Sequence, residues 1–333
     1  MSYRERQKIP RGQILIRNHL HELGIQKRRA EIIAGLSERD KYISSKYFYD
    51  ERGSVLFERI TQLPEYYLTR SEKAILRDLD IGFMRGLKDL DIWELGSGNP
   101  EKISLIIDHI PAHLLHTLRY YPIDISKSAI ELAAEKLLQT YPEITVNGFV
   151  ADFIQQLDII HQSRKRLFCF LGSTIGNFTE EQRLDFLGKM NQIMNDDDFF
   201  LLGVDTVKNR QKLEKAYNDE QGATAAFNLN ILNVVNKICG TALRACDFNH
   251  TAVFNEEKKR IEMYLEARTD VPVKSRFIPV EITINKGERI HTENSYKFDN
   301  ETILEMSKKC GFRITEIFSD NKRWFKLVLL KKR

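Results

Sequence analysis

Short apolar runs alternate with amphipathic stretches between residues 90 and 205. In residues 101–110, isoleucines recur at the three- and four-residue spacing of one helix face. The apolar runs predict strands at Asp91–Leu95, Arg119–Ile123, Ile144–Val150, Arg166–Leu171 and Phe199–Val204. The stretches between them predict helices at Glu101–Ile110, Lys127–Leu138 and Glu180–Met194, with a short helix at Phe153–His161. This alternation indicates an α/β fold whose parallel sheet is covered on both faces.

The alternation stops after residue 205 and resumes near the end of the chain. Residues 207–270 have a helical and then a mixed pattern. Further on, the pattern predicts strands at Ile261–Ala267, Val280–Ile284 and His291–Phe298, then a helix at Glu301–Cys310 and strands at Arg313–Phe318 and Trp324–Leu330. A closing helix and hairpin complete many open α/β sheets, so residues 207–296 are predicted to be an insertion. Ahead of the sheet, helices are predicted around Ile14–Leu23, Arg28–Leu36 and Val55–Ile60.

Polar residues and glycines follow the predicted strands of this sheet. Ligands of parallel sheets bind at the carboxyl ends of the strands, where these residues meet. The first strand contains Glu94 near its end and leads into Gly96 and Gly98, a turn in which the backbone can approach a ligand closely. Asp124 follows the second strand and Asp152 the third. The last two strands lead into Gly172-Ser173-Thr174-Ile175-Gly176-Asn177 and Asp205.

The glycine turn differs from that of a dinucleotide site. The third glycine of a Gly-x-Gly-x-x-Gly turn is missing, because Glu101 occupies its position. A carboxylate there would also repel a pyrophosphate at the helix N-terminus. S-adenosylmethionine, which carries no phosphate, suits the residues better: Asp124 can bind its ribose hydroxyls, Asp152 and Phe153 its adenine, and Glu94 lies near its methionine part. The alternative is that Asp124 and Asp152 only cap the helices that follow them.

Composition narrows the class of protein. The 333 residues carry a net charge of +4, with basic residues dispersed among acidic ones, so we expect no nucleic-acid partner. The four cysteines are widely spaced, which argues against a zinc site and favours a reducing compartment. No apolar segment resembles a signal peptide or is long enough to span a bilayer. We therefore expect a cytoplasmic protein without membrane contact or metal, and a monomer.

Several long motifs resemble those of the S-adenosylmethionine-dependent histidine Nα-methyltransferases of ergothioneine biosynthesis, which convert L-histidine to trimethylhistidine (hercynine). The resemblance extends from about residue 47 to 330. The motifs are Tyr47-Phe48-Tyr49-Asp50, Leu63-Pro64-Glu65-Tyr66-Tyr67, Glu94-Leu95-Gly96-Ser97-Gly98, Phe170-Leu171-Gly172-Ser173-Thr174-Ile175-Gly176-Asn177 and Thr224-Ala225-Ala226-Phe227-Asn228-Leu229-Asn230. The resemblance implies a Rossmann-like class I methyltransferase sheet with an inserted α+β substrate-binding domain. The methyltransferase domain would comprise residues 71–206 and 297–333, and the substrate-binding domain residues 1–70 and 207–296.

The resemblance also implies roles for matching residues. The S-adenosylmethionine positions are Glu94, Gly96, Ser97, Gly98, Lys102, Asp124, Asp152 and Phe153. The amino and carboxylate groups of the substrate would be held by Tyr49, Tyr66, Asn177 and Tyr217. Met263 would lie beside the substrate ring, and Glu293 and Ser295 would bind the imidazole of histidine. Asn99 and Pro100 depart from the small polar residues usual after the turn, and Asn294 is unusually polar, although strand alternation points it away from the pocket.

Methyl transfer requires little acid or base catalysis from these residues. Methyl transfer from a sulfonium needs mainly orientation of the neutral α-amine, which Tyr49 and Asn177 would supply as the catalytic residues. A wall of Tyr49, Tyr66, Tyr217 and Phe48 would suit the growing quaternary ammonium. Other interpretations stay open: Met263 can be core, Asn177 can cap the helix near Thr179, and Glu293 and Ser295 can be exposed. The alternative substrate is another aromatic amino acid or amine such as a tryptophan derivative; a binding protein or nucleic-acid methyltransferase is a third possibility.

Overall fold

A mixed eight-stranded sheet forms the centre of the protein in the computed structural model, which describes residues 12–20, 23–80, 82, 89–161, 164–275, 277 and 281–333. Its strands are β1 (Ile14–Asn18), β2 (Leu90–Leu95), β3 (Arg119–Asp124), β4 (Thr145–Val150), β5 (Lys165–Phe170), β6 (Phe199–Asp205), β12 (Phe312–Ser319) and β13 (Phe325–Lys332). The order is β1-β4-β3-β2-β5-β6-β13-β12, and β13 runs antiparallel to both its neighbours while the other pairs are parallel. Strand order reverses between β3 and β5 around β2, where ligands of such sheets bind.

The helices lie on the faces of the sheet and around the insertion. They are α1 (Leu23–Ser37), α2 (Glu51–Thr61), α3 (Tyr67–Arg77), α4 (Glu101–Ile107), α5 (Ala112–Leu115), α6 (Lys127–Thr140), α7 (Glu180–Ile193), α8 (Arg210–Tyr217), α9 (Ala223–Cys239) and α10 (Asn300–Lys309). Short 3₁₀ turns occur at Ser45–Phe48, Leu157–Ile159, Thr174–Asn177 and Ala245–Asp247. In the part of the chain that the structure describes, no helix is long and apolar enough to cross a membrane.

Alternation along the central strands divides the core between the two faces of the sheet. Ile92 and Leu167 face one side, and Trp93 and Phe168 face the other. The first core is continuous with the interior of the inserted region. Because it includes residues of the sheet, of the N-terminal segment and of α9, these parts pack against one another without a break.

The inserted region forms a smaller antiparallel sheet. It comprises β7 (Phe248–Asn255), β8 (Arg260–Ala267) and β11 (Arg289–Tyr296) in the order β11-β8-β7, next to a short pair, β9 (Val271–Val273) and β10 (Ile282–Ile284). Helix α9 packs against this sheet and against α1 and α2 of the N-terminal segment. The predicted division into two domains stays a prediction, and β1 of the N-terminal segment lies in the main sheet.

The five central strands are confirmed, each to within one residue, since each is buried over most of its length and mainly apolar, as a sheet covered on both faces requires. The C-terminal helix and hairpin are confirmed as well. Strand β7 was not predicted from the sequence. Of the predicted strand Val280–Ile284, the structure describes a strand at Ile282–Ile284, and residue 280 lies outside the described residues.

Several expectations were wrong. The helix predicted around Ile14–Leu23 begins instead with strand β1, which pairs in parallel with β4; residues 21 and 22 lie outside the described part. Residues 14–18 form a strand because they pair with the edge of β4, and the local residue pattern does not show that this edge is available. The helix predicted at Phe153–His161 is only the 3₁₀ turn at Leu157–Ile159, and the helix predicted to reach Ile110 ends at Ile107.

Candidate active site

A cavity of about 580 Å³ opens at the carboxyl ends of β2, β3, β4 and β5, beneath the inserted sheet. The residues to which the resemblance assigned a role all line it: Tyr49, Tyr66, Glu94, Gly96, Ser97, Gly98, Lys102, Asp124, Asp152, Phe153, Asn177, Tyr217, Met263, Glu293 and Ser295. The volume is in the range of small-molecule sites. Residues more than 200 positions apart in the chain therefore share one pocket.

The glycine turn is built around Asp124. Gly96 and Gly98 have φ values of +70° and +47°, which a side chain would strain. The amide of Gly98 donates to Oδ2 of Asp124 at 3.1 Å, and that of Ser126 donates to Oδ1 at 2.9 Å. Each carboxylate oxygen has two lone pairs and accepts one of these hydrogen bonds, so each keeps one lone pair for a ligand. Helix α6 is capped by Ser126, whose Oγ accepts from Ala129, so the interpretation of Asp124 as a cap is wrong.

The third strand end offers a carboxylate beside an aromatic ring. Asp152 Oδ1 accepts from the amide of Ile154 at 3.0 Å, and no α-helix follows for it to cap. The Nζ of Lys46, which also lines the cavity, lies 3.8 Å from Asp152 Oδ2. The ring of Phe153 lies against Gly96, where an added Cβ would be 3.4 Å away. A flat heterocycle with exocyclic N–H groups fits between such a carboxylate and ring.

Buried charge lies beneath the glycine turn. Lys102 Nζ pairs at 2.8 Å with Glu72, which is fully buried on α3 and also accepts from the amide of Gly172. Glu94 accepts a hydrogen bond from Tyr120, and burial raises the pKa of its carboxyl to about 8. Glu72 was not predicted from the sequence, although it shares the apolar helix face of Leu68, where a carboxylate is conspicuous.

The raised pKa of Glu94 predicts a pH-dependent stability effect. The folded protein holds this proton up to about pH 8, whereas an exposed glutamate releases it near 4.5. The associated stability is fully present below the lower value and is lost as pH rises through the higher one. Glu94→Gln should therefore be more stable than wild type at pH 9, by at least about 1 kcal/mol, with little difference at pH 4.5.

Urea unfolding of the ligand-free protein at pH 4.5, 7 and 9 measures this difference. Glu131→Gln, at an exposed helix position, is the matched control and should show no pH-dependent gain. A Glu94→Gln variant that is less stable than wild type at every pH would mean that Lys102 keeps Glu94 ionised in the folded protein.

A β-bulge in β11 directs two of its side chains into the cavity. The register between β11 and β8 shifts between His291 and Glu293, so that Thr292 has no partner of its own and Glu293 lies opposite Met263. The bulge turns both Glu293 and Ser295 inward, and each is less than a tenth exposed. The interpretation of these two as exposed residues is therefore wrong. Asn294 points away and lies 3.0 Å from the ring Nε2 of His291, as alternation predicts.

A tight turn places Asn177 against the same strand. The 3₁₀ turn of Thr174–Asn177 packs on β11 so closely that a Cβ on Gly176 would lie 2.9 Å from the carbonyl oxygen of Tyr296. Helix α7 is capped by Thr179, which forms a capping box with Gln182. Asn177 is therefore not the cap, and its side chain borders the cavity.

Aromatic rings form one wall of the cavity. Phe227 lies 5.8 Å from Tyr49 and 5.7 Å from Phe57, and Tyr66 lies 6.1 Å from Tyr217, measured between ring centroids. Burial raises the pKa of Tyr49 and Tyr66 well above the usual value, so both remain neutral phenols. The expectation that Phe48 belongs to this wall was wrong: it is fully buried behind Phe227. Phe57 and Phe227 line the cavity instead.

One further buried group borders the substrate end. Lys297 follows β11 and lies 2.8 Å from Ser295 Oγ and 3.0 Å from the hydroxyl of Tyr217. Burial raises the pKa of Glu293 to about 7, against the opposing effect of Lys297. Lys297 was not predicted from the sequence, although it follows Ser295 by two residues and Glu293 by four, which is the spacing of one strand face.

Comparison with known proteins finds a family that covers nearly the whole chain. Residues 28–332 match the family model described as histidine-specific methyltransferase, SAM-dependent. The histidine N-alpha-methyltransferase of Mycolicibacterium smegmatis is 38% identical over 293 residues, covering 88% of this chain and 91% of that protein. The enzyme of the same name from Mycobacterium tuberculosis is 34% identical over 320 residues, covering 96% and 99%. Ergothioneine biosynthesis protein 1 of Neurospora crassa is 29% identical over 293 residues, covering 85% of this chain and 32% of that protein.

Proposed function

Because the chain belongs to the family of histidine-specific, S-adenosylmethionine-dependent methyltransferases, we propose that it methylates the α-amino group of L-histidine three times to give hercynine. The observation that carries this proposal is the single cavity. It joins a methyl-donor half at the ends of the parallel strands to an amine-and-imidazole half on β11 and the aromatic wall. Ergothioneine biosynthesis, to which hercynine formation would belong, is the pathway that names the Neurospora relative.

The donor half has the groups that S-adenosylmethionine needs. Asp124 would accept hydrogen bonds from the ribose hydroxyls with its remaining lone pairs, and Asp152 would accept from the adenine amino group beside Phe153. Ser97 Oγ is buried and without a hydrogen-bond partner among the described residues, so it is available to the methionine part. Lys102 and Glu94 would border that part. When bound, the donor supplies an electrophilic methyl group on a sulfonium.

The substrate half would orient the amine. A neutral α-amine has two N–H donors and one lone pair, and the oxygens of Tyr49 and Asn177 can accept the two N–H groups. The lone pair then points toward the methyl group, which is the orientation that an in-line displacement requires. Since burial raises the pKa of Tyr49, its phenol holds the amine without acting as a strong base, and water carries the released proton.

Repeated methylation requires contacts that survive the loss of the amine hydrogens. The carboxylate and the imidazole are unchanged by the reaction, so Tyr66, Tyr217, Glu293 and Ser295 can hold the substrate in every round. As the nitrogen becomes a permanent cation, the faces of the aromatic wall attract it, by about 0.5–2 kcal/mol for each contact. This combination supports trimethylation rather than a single transfer.

The test is mass analysis of products after the protein is incubated with S-adenosylmethionine and L-histidine. We expect mono-, di- and trimethylhistidine, with the trimethylated form accumulating. Absence of any methylated histidine from a protein that binds the donor would refute the proposal. The alternative substrate class is tested in the same assay with tryptophan, tyrosine and tryptophan-derived amines. An indole has one N–H and no ring acceptor, so it would leave Ser295 without the partner that imidazole provides.

The setting of the enzyme is also part of the proposal. The substrate is a small molecule, and the expectation of a monomer stays a prediction. The four cysteines, two of them buried, are free thiols, which supports a reducing compartment such as the cytoplasm.

A further inference from the structure

Lys297 is a buried cation behind the substrate end of the cavity. It is only 2% exposed and does not line the cavity itself. Its ammonium group has three hydrogens and three acceptors at good distance: Asp205 Oδ2 at 2.9 Å, Ser295 Oγ at 2.8 Å and the hydroxyl of Tyr217 at 3.0 Å. All three hydrogens are thus engaged. Although burial disfavours the charged form, Asp205 raises the pKa of Lys297, so it remains an ammonium ion.

This arrangement restricts the two hydroxyls that face the cavity. Tyr217 and Ser295 each accept a hydrogen bond from Lys297, and their oxygens lie 2.8 Å apart, so one of them donates to the other. Two hydroxyls have two hydrogens, and one is used between them. One O–H remains to donate into the cavity. With Glu293 as the neighbouring acceptor, the site offers one acceptor and one donor, which matches the N–H and the bare nitrogen of a neutral imidazole.

The charge of Lys297 also acts on Glu293. Burial raises the pKa of the Glu293 carboxyl to about 7, and Lys297 is the charged group that opposes this rise. Removal of the ammonium would therefore move that pKa upward and leave the carboxyl protonated at neutral pH. The titratable and charged groups that surround Lys297 and Glu293 are Asp205 on β6, Lys208 after it, Tyr67 on α3, Tyr217 on α8, Tyr49 and Tyr66.

We propose that Lys297, anchored by Asp205, is a positioning residue for histidine recognition: it sets the hydroxyls of Ser295 and Tyr217 to present one donor, and its charge favours Glu293 as an anionic acceptor. The inference rests on the proposed function, since it concerns how that site selects imidazole. Asp205 holds the lysine in place and is itself bound by the hydroxyl of Tyr67 at 2.7 Å and by Lys208 at 2.5 Å.

The test compares Lys297→Met with Lys208→Met. Both remove one lysine from Asp205, but Lys208 has no contact with Ser295 or Tyr217 in the described structure. Calorimetry measures L-histidine binding to each protein saturated with S-adenosylhomocysteine, from pH 6 to 9. Lys297→Met should bind histidine about 10- to 100-fold more weakly at pH 7, because buried polar partners are left mispaired. Lys208→Met should stay within about threefold of wild type, because the hydrogen bonds of Lys297 to Ser295 and Tyr217 do not involve Lys208.

The pH dependence distinguishes positioning from simple loss of structure. Histidine binding needs the Glu293 carboxylate, so affinity rises as that group ionises; without Lys297 the rise moves to higher pH, and the deficit at pH 7 shrinks toward pH 9. A Lys297→Met profile that superimposes on that of wild type would overturn the inference. So would a deficit that is constant with pH and accompanied by an equal loss of S-adenosylhomocysteine affinity.

A double variant and the wild-type protein serve as further controls. If Lys297→Met folds poorly, Lys297→Met/Asp205→Asn removes both charges of the pair and should show the same shift in its histidine profile. The wild-type protein separates this inference from the proposed function. Wild type that binds no histidine refutes the function itself, whereas wild type that binds histidine beside an unaltered variant refutes only the role of Lys297.

Discussion

Glu293→Gln should lower kcat/KM for L-histidine by at least about 100-fold, while S-adenosylhomocysteine binds with unchanged affinity. The substitution keeps the size of the side chain and removes its charge. If the glutamine amide presents its NH₂ group, two donors face each other at the imidazole N–H. If it presents its oxygen, the hydrogen bond remains but no longer has the strength that the carboxylate charge adds. Because Glu293 lies on the inserted sheet, away from the glycine turn, its loss should not reach the donor half of the cavity.

Steady-state kinetics with mass detection, together with calorimetry for S-adenosylhomocysteine, measures both effects. Glu262→Gln is the matched control. Glu262 lies on the neighbouring strand β8, is nearly as buried, and bonds to Arg260 and Tyr264 rather than to the cavity. Equal losses of histidine turnover and donor-side affinity in Glu293→Gln would indicate that Glu293 maintains the fold and does not bind the imidazole.

Asp124→Asn should weaken S-adenosylhomocysteine binding by about 100-fold. Both oxygens of Asp124 accept backbone N–H groups, from Gly98 and Ser126. An asparagine has only one oxygen, so its amide nitrogen must face one of these N–H groups, which displaces the turn. The variant also loses an acceptor for the ribose hydroxyls. Both effects act on the donor half of the cavity.

Calorimetry of S-adenosylhomocysteine binding measures this loss. Asp108→Asn is the control, because Asp108 follows α4, bonds to Tyr141 and does not line the cavity. Its affinity should match that of wild type. Unaltered donor affinity in Asp124→Asn would exclude a role for Asp124 in holding the ribose.

Much of the fold was predictable because the central strands can be recognised from their own apolar residues, without knowledge of their neighbours in space. Buried on both faces, β2 and β6 are mainly apolar runs, and the amphipathic helices between them show which side faces the sheet. Edge elements were not predictable in this way. Strand β1 is short, half exposed and paired on one side only, so its local pattern did not distinguish it from a helix.

The donor half of the site follows the same logic. Parallel strands bring their carboxyl ends to one edge, so reading the residue after each apolar run was enough to predict Asp124, Asp152 and the glycine turn. The substrate half depended on resemblance to a family, since nothing local in Glu293 or Ser295 distinguishes them from exposed strand residues. Met263 and Asn177 likewise had equally good structural interpretations.

The sequence by itself thus determined the sheet and its helices, and it indicated the class of ligand proposed for the glycine turn, because each depends on neighbours within a few residues. Only the tertiary structure decided which distant residues share the cavity with that turn. The bulge in β11 turns Glu293 inward, the close approach at Gly176 sets Asn177 beside that strand, and the Asp205–Lys297 pair orders the hydroxyls behind it. These contacts join segments that are distant in the chain, and their energies arise from burial and charge that exist only once the chain has folded.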